Sequence, residues 1–354
     1  MGRPIELIEL PEERVEMRGP TKTFRLVATV PLVAALTLGG CSDQLGSAPA
    51  PSPTRVEFVP KVRGIPYFEA MDNGGLEAAK QLGLAWHSTG PATVDPAAQV
   101  TIMRDLIAKK VDVIVVAPND PAALAGVIAE ARAKGIHVLT SDTDAPGTQR
   151  EVFVNQASAQ GIGTALVDAL MAKTGGTGQY AIVSCGPAAA NLNSWIAVQK
   201  EYAAAHYPKA ELVDTVYAGE DVEAATALAK QLMAGHPGLT GLIGECTTSA
   251  PGVAKAVDDE QKIGRVFTVG VGTPQAIKPF LLKGACSQSV LWNVESLGYL
   301  TAWTAKQVVD GKPLGPVNKV SLELPAVKYD AAAKTVLLGD PLLITADNVD
   351  QFKY

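Results

Sequence analysis

Histidine is scarce in this chain. Four occur in 354 residues (His87, His137, His206 and His236), and none stands at a spacing that closes a metal site with another. The four cysteines, Cys41, Cys185, Cys246 and Cys286, are as dispersed, so no zinc-ligand spacing exists and no metal is expected. No Gly-x-Gly-x-x-Gly follows an apolar run, no Walker A sequence is present, and there is no Gly-x-Ser-x-Gly elbow. Cofactor-dependent and serine-hydrolase chemistry therefore lose their usual sequence support, and no cofactor is expected. Asp142 and Asp144 are close enough to suggest a catalytic pair, but no partner nucleophile accompanies them. Clusters of lysine and arginine are absent beyond residue 40, and the net charge is −6, so nucleic acid is not an expected partner. Long apolar runs are absent as well. The run over 26–38 is too short for a comfortable membrane span.

That short run does have a reading. Arg18, Lys22 and Arg25 precede it, which makes 1–40 an export signal. It ends in Leu38-Gly39-Gly40-Cys41, and a Ser/Ala/Pro-rich stretch over 41–54 follows as a flexible tether. Residues 2–16 carry five glutamates and two arginines, the wrong sign for the start of such a signal, so translation is expected to begin at Met17. Loss of 1–40 removes five basic and five acidic residues and leaves the net charge at −6.

From residue 55 onward the chain alternates between apolar runs and helical periodicity. The stretch over 111–144 is the clearest unit. Its first run, 111–117, is β-branched and does not alternate, as a strand buried on both faces requires. Asp120 then caps a helix with Pro121 at its first position, Leu124, Val127, Ile128 and Ala131 share one face, and Gly135 ends it. A second apolar strand follows at 136–140. Further strands are expected at 56–60, 84–87 and 152–155, and a second series at 180–184, 212–217, 242–244 and 266–269. Strands at 287–292 and 318–324 close the chain, with a helix at 294–309 between them. The fold class is α/β, with two doubly wound parallel-sheet lobes in tandem.

In open parallel sheets ligands bind beyond the carboxyl ends of the strands. In the first series those ends carry Lys61, Asn119, Asp142, Asp144, Asn155 and Gln156. In the second they carry Ser184, Glu245, Thr247, Thr248, Thr273 and Asn293. Tyr67, Phe68, Trp195 and Trp292 sit beside them. Flat aromatic faces with carboxylates, amides and a lysine suit the faces and hydroxyls of a sugar. Trp195 is expected to pack on its sheet, and Trp292 to form either hinge core or cleft floor. Cys185 and Cys246 end strands that are neighbours in the order 2-1-3-4-5, about 4.8 Å apart. They are either a disulfide or two buried inert thiols, with Cys286 free.

The segments VPKVRGIPYFEAMDNGG, VIVVAPNDPAAL, VLTSDTDAP, VFVNQ, NLNSW, VGVGTPQAIKPF and LWNV occur in this order. Together they resemble the type I periplasmic sugar-binding proteins of ABC importers, closest to the rhamnose- and autoinducer-2-binding subgroup. The end of the signal resembles the lipobox of bacterial lipoproteins, in which the cysteine, here Cys41, becomes the lipid-modified N-terminus. The resemblance implies two lobes joined by a three-crossover hinge: 55–156 with 293–320, and 157–292 with 321–354. It implies an extracytoplasmic, membrane-anchored monomer that captures a small sugar or polyol and delivers it to a permease driven by a separate ATPase, without catalysis. Lys61 and Asp142 match first-lobe polar contacts of the autoinducer-2 binders, and Phe68 after Tyr67 matches their aromatic wall. The second lobe departs from them. Asn191-Leu192 replaces an Asp-Gln pair, and Glu245-Cys246-Thr247 replaces Pro-x-Ala, which favours another sugar or polyol over autoinducer-2. Glu245 on this reading either accepts two hydroxyls or sits outside the cleft. The candidate ligand set is Lys61, Tyr67, Phe68, Asp142, Asn155, Asn191, Glu245, Thr247, Trp292 and Asn293. Autoinducer-2 uptake and an exported α/β enzyme are the alternatives.

Overall fold

A computed structural model describes residues 52–354. The export signal, the Met17 start, the lipidation of Cys41 and nearly all of the tether lie outside the described residues. The first series runs β1 (Thr54–Val59), α1 (Pro66–Leu82), β2 (Leu84–Ser88), α2 (Pro96–Ala108), β3 (Val113–Val116), α3 (Pro121–Ala133), β4 (His137–Ser141) and β5 (Phe153–Asn155). The second runs α4 (Ala159–Thr174), β6 (Thr177–Ser184), α5 (Ala190–His206), β7 (Lys209–Tyr217), α6 (Val222–Gly235), β8 (Leu239–Gly244), α7 (Ser249–Asp259), β9 (Phe267–Gly270), α8 (Pro274–Lys283) and β10 (Gln288–Leu291). The chain then adds α9 (Val294–Val309), β11 (Val317–Asn318), β12 (Val327–Asp330), β13 (Thr335–Leu337) and β14 (Leu342–Ile344).

Two sheets result. In the first, β2-β1-β3-β4-β5 is parallel, and β13, β12 and β11 extend it beyond β5. In the second the order is β7-β6-β8-β9-β10, closed by an antiparallel β14. Strands such as Val113–Val116 are fully buried, because helices cover both faces, and this is why they read as unbroken apolar runs. Asp120 caps α3 as its sequence predicts, accepting from the backbone N–H of Ala122 and Ala123.

The chain passes between the sheets three times, at 156–158, 292–293 and 338–341. The last crossing corrects the sequence expectation. Residues 321–337 belong with the first sheet, not the second lobe, because β12 and β13 form a hairpin whose second strand pairs with β5. Asp330 closes that hairpin by accepting from the N–H of Ala332 and Ala333. The strand expected over 318–324 shrinks to Val317–Asn318, since the Ser321 hydroxyl accepts from the N–H of Glu323 and Leu324 and folds that stretch into a turn.

Helices α1 and α9 cross at unusually close range. A Cβ on Gly74 would overlap the Glu295 carbonyl, and one on Gly298 would overlap the Met71 carbonyl. This crossing ties together two aromatic positions, because α1 begins at the pair Tyr67-Phe68 and α9 begins just after Trp292.

Candidate functional site

A small, partly open cavity lies between the carboxyl edges of the two sheets. Lys61 enters it from the loop after β1. Gln99 on α2 braces that loop: its Nε2 donates to the carbonyls of Pro60 and Ala117, and its Oε1 accepts from the Asn119 N–H. Asn119 Nδ2 in turn donates to the Lys61 carbonyl at 2.8 Å. Asn119, a strand-end polar residue, therefore positions Lys61 and does not face the cavity.

Asp142 follows β4 with φ 65°, a left-handed conformation that only short polar residues such as Asp and Asn tolerate well apart from glycine. Its carboxylate is buried, and both oxygens are engaged. Oδ1 accepts from the Tyr67 hydroxyl at 2.8 Å; Oδ2 accepts from Thr143 at 3.0 Å and Asn191 Nδ2 at 3.4 Å, and lies 3.2 Å from Lys61 Nζ. Burial, and then the neighbouring Asp142 charge, pushes the Tyr67 phenol well above its ordinary value. Trp292 Nε1 donates to that phenol at 3.2 Å, and the Tyr354 hydroxyl donates to the Trp292 carbonyl. Trp292 stands edge-on to both Tyr67 and Trp195, and so forms the floor of the cavity where the chain crosses between sheets.

From the second sheet, Asn191 in the first turn of α5 reaches across: its Oδ1 accepts from Lys61 Nζ at 2.9 Å while its Nδ2 faces Asp142. Glu220, on the loop between β7 and α6, adds a second-lobe carboxylate that accepts from the Thr248 hydroxyl at 3.0 Å. Burial raises its carboxyl above the ordinary value, while Lys61 and Thr248 pull it back. Of the ten sequence-derived residues, Lys61, Tyr67, Phe68, Asp142, Asn191, Thr247 and Trp292 line the cavity. Glu220 and Trp195 line it too and were not among them.

Three residues lie elsewhere. Asn293 is the N-cap of α9, its Oδ1 accepting from the Ser296 N–H. Asn155 sits at the first crossing, where its carbonyl accepts from the Leu338 N–H. Glu245 turns back beneath the sheet edge, fully buried, with both carboxylate oxygens held by Gln199 Nε2 at 2.7 and 2.8 Å. Asp144 is half-buried and outside the cavity, clamped by the Arg150 guanidinium through two bonds of 2.8 Å.

Burial pushes Glu245 up to about 8, from an ordinary 4.5, and only Gln199 opposes the shift. The folded protein thus holds a proton that the unfolded chain releases between those values, and stability falls as pH rises through that window. The shift corresponds to a loss on the order of 5 kcal/mol by pH 9. Glu245→Gln keeps the shape and an acceptor for Gln199. Its melting temperature should match the wild type at pH 4.5 and exceed it at pH 9; equal pH profiles would show that Glu245 does not titrate in this way.

Cys185 and Cys246 are joined as a disulfide, with Cα atoms 6.1 Å apart, and Cys246 lines the cavity wall. Cys185, Glu220 and Cys246 are the one group among the described residues whose donor atoms lie together as a metal site would need. A bridged sulfur is no thiolate ligand, so the oxidised protein retains only the Glu220 carboxylate for that purpose. Cys286 is buried and free, and burial pushes its thiol up to about 11. Protein beginning at Ser42, denatured without reductant, should bind one equivalent of thiol label, and three after reduction. Three equivalents before reduction would rule the bridge out.

Similarities to known proteins agree with this geometry. Residues 56–313 match the family model described as a periplasmic binding protein domain. A D-ribose/D-allose-binding protein of Pseudomonas aeruginosa is 28% identical over 325 residues, covering 84% of this chain and 99% of that protein. An ABC transporter solute-binding protein from Clostridium phytofermentas, solved with bound L-rhamnose, superposes with a TM-score of 0.81 at 27% identity, covering 85% of this chain and 98% of that one. LsrB from Clostridium saccharobutylicum, solved in complex with AI-2, superposes at 0.79 with 21% identity over 85% of this chain and 100% of its own. At that identity the likeness to LsrB is one of fold.

Proposed function

The chain belongs to the periplasmic binding protein domain family, and from that premise we propose that it captures a small neutral sugar or polyol for an ABC importer. Membership implies an extracytoplasmic location, and among the described residues no helix is long and apolar enough to cross a membrane. One observation carries the reading: a cavity between two sheet edges, walled by Tyr67, Phe68, Trp195 and Trp292 and furnished with Lys61, Asp142, Asn191 and Glu220. Aromatic faces cover the apolar faces of a sugar ring, and the ammonium, amide and carboxylates meet its hydroxyls.

The first lobe supplies Lys61 and Asp142, and the second supplies Asn191, Thr247 and Glu220. A ligand that bonds to both sets favours the closed arrangement, because the second set reaches it only when the lobes meet. In this reading the lipid at Cys41 and its tether keep a monomeric protein beside the permease, and the ligand leaves the cleft unchanged. The ribose/allose and rhamnose relatives are binding proteins, and no residue in the cavity is arranged as a nucleophile with its base.

A thermal-shift screen against L-rhamnose, D-ribose, D-allose, D-arabinose, linear polyols and autoinducer-2 tests the reading. A ligand at 100 times its Kd adds about 2.7 kcal/mol, a rise of roughly 5 °C for a chain of this size. At least one neutral sugar or polyol should give that shift. A shift with autoinducer-2 alone would move the protein to signal uptake, and a flat panel would reject sugar capture.

A further inference from the structure

We propose that Glu220 sets the charge specificity of the cleft, so that the protein selects an uncharged polyhydroxylated ring and rejects sugar acids and sugar phosphates. The inference rests on the sugar-binding reading and names the class of sugar. The polar groups of the cavity differ in the bonds they still have to give. Asp142 has little to spare, since Thr143, Asn191 and Lys61 crowd its Oδ2 and Tyr67 already donates to its Oδ1. Glu220 differs. Thr248 donates to its Oε2, and its Oε1 accepts no hydrogen bond among the described residues although the side chain lines the cavity.

The backbone holds that carboxylate in place. The N–H of Ala218 donates to the Ser184 carbonyl at 2.8 Å and that of Gly219 donates to the Cys185 carbonyl, so the loop is laced to the end of β6. Gly219 at φ 67° makes the turn, and Asp221 caps α6 immediately afterwards by accepting from the Ala224 N–H. Glu220 is therefore a preorganised acceptor facing the cavity.

Charge decides what it accepts from. Lys61 and Asp142 form a buried pair 3.2 Å apart and cancel one another. Glu220 then adds a further carboxyl to the lining, with no second cation among the lining residues to balance it. Adjacent hydroxyls on a neutral ring donate to a carboxylate in the favourable sense, whereas a ligand carboxylate or phosphate in the same cavity meets like charge at low local dielectric.

Calorimetric titration of the wild type with L-rhamnose, D-ribose and D-allose, and with D-galacturonate and D-ribose 5-phosphate, tests this. The wild type should bind a neutral sugar at least tenfold more tightly than either anion. Glu220→Gln should weaken the neutral sugar at least tenfold and narrow its margin over the anions. Glu220→Asp, which keeps the charge, should preserve that margin. The margin is a readout that a purely structural role would not move; where the glutamine variant fails to fold, Glu220→Ser supplies it, and an unchanged margin there would overturn the assignment. Equal affinity of Glu220→Gln and wild type for the neutral sugar, or an anion bound as tightly as a neutral sugar by the wild type, would overturn the assignment. Failure of every neutral sugar to bind the wild type would instead overturn the sugar-binding reading, and this inference with it.

Discussion

Replacing Asp142 by Asn should lower affinity for the neutral sugar at least 100-fold. The substitution keeps the size of the side chain and suits the left-handed backbone at φ 65°, so the turn itself survives. What it removes is the charge that pairs with Lys61 at 3.2 Å in a setting where both side chains are buried. An ammonium left without its counter-ion in such a place costs about 3–5 kcal/mol, which falls on stability. The amide also keeps only one of the two oxygens, so it cannot accept from Tyr67 on one side and from Lys61, Thr143 and Asn191 on the other as the carboxylate does. The network that spans the two lobes and holds Lys61, Tyr67 and Asn191 in place around the cavity is lost with the carboxylate. Calorimetric titration beside a thermal melt separates the two effects. A folded variant with wild-type affinity would remove Asp142 from the site.

Gly298→Ala should be severely destabilising. Its Cβ would overlap the Met71 carbonyl oxygen, a backbone atom that moves only if α1 moves. Overpacking of this kind costs about 3 kcal/mol and can exceed it when backbone must shift. The consequence reaches the cavity, because separating α1 from α9 pulls Tyr67 away from Trp292 and breaks the 3.2 Å bond between them. Both stability and affinity should fall. Gly74→Ala meets the same contact from the other helix, against the Glu295 carbonyl. Gly126→Ala is the control: it lies within α3 with open space around it, and should stabilise the fold by about 0.5–1 kcal/mol. If all three variants melt together, the close helix crossing is not what limits this fold.

The sequence pattern carried most of the architecture because parallel strands buried on both faces leave an unmistakable apolar run, and Pro-capped helices mark their own starts. Short strands at sheet margins leave no such trace. β12, β13 and β14 have three or four residues each, and Val327–Asp330 includes Lys and Asp in its exposed positions. Pairing with β5 makes strands of the β12–β13 hairpin, and pairing with β10 makes one of β14. The site was legible to the extent that strand ends point at it. That rule does not say which way a side chain turns after the strand, and the two second-lobe glutamates separate on this point. Glu245 finds Gln199, a buried glutamine on α5 that was the available sign of an internal partner. Glu220 had its own sign, a Gly-Glu-Asp run closing a strand just before a helix cap. Asn293 shows the opposite error. An amide at a strand end is also the preferred helix cap, and Ser296 three residues on takes up the bond.

Indole emission during titration with the sugar selected by the thermal screen tests the central claim most directly. Trp195 and Trp292 line the cavity, whereas Trp86 and Trp303 do not. Capture of a sugar between the lobes predicts a change in emission that saturates at one equivalent and disappears in Asp142→Asn. A sugar that binds without altering the emission, or an unaltered curve in that variant, would contradict the cleft as the site of capture.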